Sequence, residues 1–200
     1  MEKVTGLGVS PARIETPSAS TAPTATVRPS GPAASLAPGA RLGLGEQVEI
    51  ADLASRAPFP IRYPTDPLAG PADTAWIDPR KAGQVALVWG TRPDLPATVD
   101  PGVGMLLMQF NGRFDEGMIT KLIDSGTDVE RVSVGGNPGF WITGDLHFFF
   151  YEDAHGTVID DSRRWVGDTL LWSEGGLTYR LETALGREAA IRIAESLTTP

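Results

Sequence analysis

The 200-residue chain contains no cysteine, which excludes disulfide frameworks, thiolate zinc sites, iron–sulfur clusters and cysteine nucleophiles together. Histidine is almost as scarce, with only His147 and His155. A strand and a turn separate them, which is no metal-ligand spacing, so His147 reads as a structural, hydrogen-bonded residue. No apolar run approaches the roughly 20 residues that span a bilayer. The opening MEKVTGLGVSPARIE has no apolar core of a secretion signal, so the chain as written is expected to be soluble. Its net charge of −8 argues against counterion-release binding to nucleic acid. GLGVSPA, GLGEQ and GVGML lack both the Walker lysine and the strand-to-helix setting of a nucleotide loop, and no GxSxG elbow occurs. The expectation is a protein with no enzymatic activity, no metal and no cofactor.

The residues that are abundant divide the chain in two. Thr16 to Ala40 is nearly all Ala, Pro, Ser, Thr and Gly, with Arg28 its only charge. Such a segment buries too little apolar surface to offset its ordering entropy. Residues 1–41 are therefore expected to be a disordered tether, and 42–200 one domain. The residues ahead of Leu42 carry a net +2, which leaves −10 for the domain.

The domain reads as α+β. QVALVWG (84–90) alternates, with Val85, Leu87 and Trp89 on one face. VGMLLMQF (103–110) is almost wholly apolar, the mark of a central strand covered on both faces. Asp115 and Glu116 open a mid-chain helix striped by Met118, Ile119, Leu122 and Ile123 and closed by Gly126. VERVSV, FWIT, LHFFFYE, TLLWS and LTYRLE follow as strands, the last two joined by a three-residue loop, Glu174-Gly175-Gly176. Arg187 to Leu197 has helical period through Ala190, Ile193, Ala194 and Leu197, with Glu188 and Arg192 spaced for an i,i+4 pair. The pattern predicts a largely antiparallel, curved sheet with a mid-chain and a C-terminal helix packed on it.

Aromatics concentrate in the C-terminal half. Their first role is core packing; the sharper reading is an apolar groove or interaction surface formed by Trp141, His147, Phe149, Trp172 and Arg180, receptive to a partner protein, a lipid or another apolar ligand. Glu152, Asp153, Asp160 and Asp161 cluster about one hairpin but lack the EF-hand spacing, and read as a solvated turn.

The blocks GLGEQVEIADLASRAPFPIRYP, GQVALVWGTRPDLP, GVGMLLMQFNG, GNPGFWITGDLHFFFYEDAHG and DTLLWSEGGLTYRLETALGREAAIRIAESL occur in that order. Together they resemble an uncharacterised extracytoplasmic domain of bacterial membrane-anchored proteins, over roughly Leu42 to Leu197. Trp141, Gly144, His147, Leu171, Trp172, Arg180, Leu181 and Glu182 match that family's positions. In the family the domain often follows an anti-sigma or zinc-finger module and one transmembrane helix, neither of which is in this chain. The resemblance implies a non-catalytic sensory or protein-interaction domain outside the cytoplasm, tethered by an upstream helix. A carrier of a lipid or other apolar ligand is the alternative.

Overall fold

A computed structural model describes residues 36–81, 83–113, 127–144, 150–153, 158–160 and 166–200. The expected mid-chain helix from Asp115 lies outside these residues. The described fold starts at Leu36, ahead of the boundary expected at Leu42. Residues 38–43 form turns, Thr74 Oγ1 donates to the Pro38 carbonyl at 2.8 Å, and Leu42 and Leu44 join a hydrophobic cluster.

Eight antiparallel strands form an open sheet. In chain order they are β1 (Glu46–Val48), β3 (Thr74–Asp78), β4 (Gln84–Gly90), β5 (Val103–Phe110), β7 (Thr127–Val134), β8 (Asn137–Gly144), β11 (Thr169–Glu174) and β12 (Leu177–Thr183). Their order across the sheet is β1-β3-β4-β5-β12-β11-β8-β7. The apolar strand β5 is therefore interior, as its composition predicts, and every residue along it is buried. Its neighbour β12 pairs Leu181 with Leu107 and Arg180 with Met108. The short strands β6 (Gly112–Arg113), β9 (Phe150–Asp153) and β10 (Val158–Asp160) form a second sheet. β2 (Tyr63–Pro64) pairs with β13 (Leu197–Thr198).

Strand alternation assigns side chains to two cores. On one face Val85, Leu87, Trp89, Leu107, Trp141, Leu170, Trp172 and Leu181 meet Leu53 of α1 (Ile50–Arg56) and Ala190, Ile193 and Ala194 of α2 (Arg187–Glu195). On the other, Leu44, Trp76, Ala86, Val88, Val103, Leu106 and Met108 cluster. Helix α1 stops at Ala57, whose ψ of 144° is extended, because Pro58 disfavours the helical region at the residue before it.

Three expectations about the C-terminal half are corrected. Glu174 pairs directly with Leu177, so the β11–β12 loop has two residues and not three. Gly175 and Gly176 take φ of 60° and 83°, the left-handed pair that a tight hairpin needs and glycine supplies without strain. The final helix ends at Glu195, before Leu197. Ser196 N–H bonds back to the Arg192 and Ile193 carbonyls, and Leu197 continues as a strand that still buries its side chain in the core. The Glu188–Arg192 pair also gives way to other partners: Glu188 bonds Arg187 at 2.7 Å, and Arg192 bonds Asp66 at 2.7 Å.

Candidate functional site

Strand β7 closes one end of the sheet and, among the described residues, pairs only with β8. Its two sides alternate along the strand, one towards α2 and the other away, and the adjacent Glu130 and Arg131 are both exposed. Glu130 and Val132 share the α2 side. Arg131 lies on the opposite side, with its guanidinium 5.1 Å from the centroid of the Phe140 ring. Between β7 and α2 runs a shallow groove of about 400 Å3, lined by Glu130, Val132, Arg187, Ile191, Arg192 and Glu195 among others. Val132 and Ile191 are partly buried against the main core and give the groove an apolar floor.

Ion pairs form its rim. Arg187 bonds both Glu188, at 2.7 Å, and Glu130. Glu188 chiefly, then Glu130, pushes the guanidinium pKa above its ordinary value, and the Arg187 hydrogen bond holds the Glu188 carboxyl below its own. Glu195 Oε1 accepts the Gly135 N–H at 3.0 Å, fastening the last turn of α2 to the β7–β8 hairpin. Arg192 turns away to Asp66. Burial raises the Asp66 pKa, but the Arg192 guanidinium and the Leu68 N–H outweigh it, and the carboxyl stays below its usual range. Arg187 and Arg192 thus each hold at least one carboxylate at the groove or beside it.

Of the residues singled out by sequence, the described Trp141, Trp172 and Arg180 do not share one surface. Trp141 and Trp172 belong to the core beneath α2, because β8 and β11 place them on the same face, with Trp141 opposite Leu170 and Trp172 opposite Gly139. Gly139 leaves the space the Trp172 side chain needs: a Cβ there would lie 2.8 Å from the Leu171 carbonyl oxygen. Arg180 faces the other side of the sheet and is 2% exposed, paired with an equally buried Glu182. His147 and Phe149 lie outside the described residues. Of the acidic cluster, the backbone of β9 and β10 places Glu152 opposite Val158 and Asp160 opposite Phe150, and Asp161 lies outside the described residues. Among the described residues no group of three His, Asp or Glu is placed to hold a metal ion, and no helix is long and apolar enough to cross a membrane.

Sequence reasoning missed the groove because its walls, exemplified by Glu130 and Arg187, are 57 residues apart in the chain. The available signal was VERVSV, whose two adjacent charges within an alternating strand suit an edge better than a sheet interior. Comparison of the chain with protein-family models, curated proteins and solved structures finds no match.

Proposed function

We propose that this chain is a non-catalytic interaction domain that receives an extended segment of a partner protein along β7. The observation that carries the reading is an eight-residue strand, last in the sheet among the described residues, lying beside a groove with an apolar floor and a charged rim. Strand addition draws affinity from backbone hydrogen bonds and selectivity from alternate side chains seated beside the edge. The resemblance of residues 42–197 to extracytoplasmic domains of membrane-anchored bacterial proteins supports a sensory role outside the cytoplasm, within anti-sigma-type regulation. The burial of Trp141 and Trp172 in the core supports a partner protein over a carried apolar ligand.

The test is site-specific photo-crosslinking in the native host. A photoreactive side chain is placed at Glu130 or Glu188 on the groove, and at Arg80, 85% exposed in the β3–β4 turn, as control. One discrete protein adduct from the groove positions and none from Arg80 is expected. Adducts from all three, or from none, would remove the reading.

A further inference from the structure

Helix α2 is fastened on two sides by polar contacts and fully buries only one large side chain, Ile193, beside Ala190 and Ala194, with Ile191 partly buried. Towards β7 it is held by Arg187 on Glu130 and by Glu195 on the Gly135 N–H. On its other side, polar contacts converge on the short stretch from Tyr63 to Leu68. Arg192 Nε donates to Asp66 Oδ2 at 2.7 Å, while Asp66 Oδ1 accepts the Leu68 N–H at 2.8 Å. Ser196 Oγ accepts the N–H groups of Thr65 and Asp66 at 3.1 and 3.0 Å and donates to the Ile193 carbonyl at 2.7 Å. The Ser196 carbonyl accepts the Thr65 hydroxyl at 2.9 Å, and β13 then pairs with β2.

One carboxylate therefore closes its own turn and holds the helix at the same time. The stretch has separate moorings at its two ends. The Gln109 side-chain amide bonds the Arg62 backbone in both directions, at 3.0 and 2.8 Å, and Arg92 donates to the Leu68 and Ala69 carbonyls at 2.6 Å. Between these moorings, hydrogen bonds run to Arg192, Ser196 and β13, while Tyr63 and Leu68 also pack against the main core.

We propose that α2, β13 and residues 63–68 form a latch that unfolds locally as one unit while the eight-stranded sheet stays closed, with the Asp66–Arg192 pair as the tie that couples its two halves. Opening moves the α2 wall of the groove, so the use of the latch in signalling rests on the interaction reading above; the coupling itself does not.

Amide hydrogen exchange on the full chain tests it, comparing wild type with Asp66→Asn, which retains an oxygen for the Leu68 N–H, and with Arg192→Ala, which leaves that turn intact. Loss of a charge-assisted bond is expected to speed exchange about tenfold. The increase should appear together at Ile193 to Ser196 and at Thr65 to Leu68, with Leu87 and Leu107 unchanged. Acceleration of 65–68 alone, acceleration that spreads to Leu87 and Leu107, or no change in either variant would each overturn the latch. Either variant suffices if the other does not fold.

Discussion

Trp172 stacks on Tyr179 across the β11–β12 ladder, with ring centroids 5.0 Å apart and planes 12° from parallel. Both rings are buried, and Arg62, itself paired with Glu174 at 2.6 Å, caps the Tyr179 side from 6.0 Å. The indole N–H of Trp172 meets no acceptor among the described residues, a cost that offsets part of what the stack contributes. Trp172→Ala should destabilise by about 3–5 kcal/mol. Trp172→Phe should cost far less, because it keeps an aromatic face while removing a buried donor whose isolation costs about 1–3 kcal/mol. Chemical denaturation of the two variants checks this; equal losses would show that the N–H carries no penalty.

Ile193 is the one large side chain that α2 buries. A nine-residue helix is marginal in isolation, so docking must hold it. Ile193→Ala should lower unfolding free energy by about 2–5 kcal/mol. An unchanged urea midpoint would mean that the polar contacts alone hold the helix.

Arg180 and Glu182 sit two residues apart on the same side of β12, both 2% exposed, with Arg180 Nε donating to Glu182 Oε1 at 2.8 Å. Removing one member takes this partner from a buried charge, so Glu182→Leu should cost about 3–5 kcal/mol. The double variant Arg180→Met/Glu182→Leu should recover much of that loss, since the desolvation of both charges disappears with them. Additive losses in the thermodynamic cycle would show that the two residues act independently.

Two carboxylates make stability depend on acid. Burial raises the pKa of each, yet Arg192 and the Leu68 N–H bring Asp66, and the Arg80 side chain and N–H bring Asp78, below the ordinary 3.8. A lowered folded-state value gives stability that is present above the unfolded value and lost as pH falls through the folded one. Their contribution should be level from about pH 7 to 5 and decline below about pH 4. Urea midpoints of Asp66→Asn/Asp78→Asn across that range should fall less steeply than wild type; parallel curves would assign acid sensitivity to other groups.

Much of the sheet was legible without coordinates because strand identity is written in local alternation. QVALVWG and VGMLLMQF became β4 and β5 with the residues expected, and the wholly apolar run took an interior position because both its faces need cover. The end of α2 was less legible: Leu197 continues the 3.6-residue period, but its backbone is claimed by Tyr63–Pro64, 133 residues away for the Leu197–Pro64 pair. Composition suggested that Trp141, Trp172 and Arg180 belong to one surface. Period two on adjacent strands instead sends the tryptophans under α2 and Arg180 to the opposite face. The groove and the Asp66–Arg192 tie belong to tertiary structure alone. Each is made by groups that are remote in the chain, and no local propensity records which helix will lie beside which strand edge.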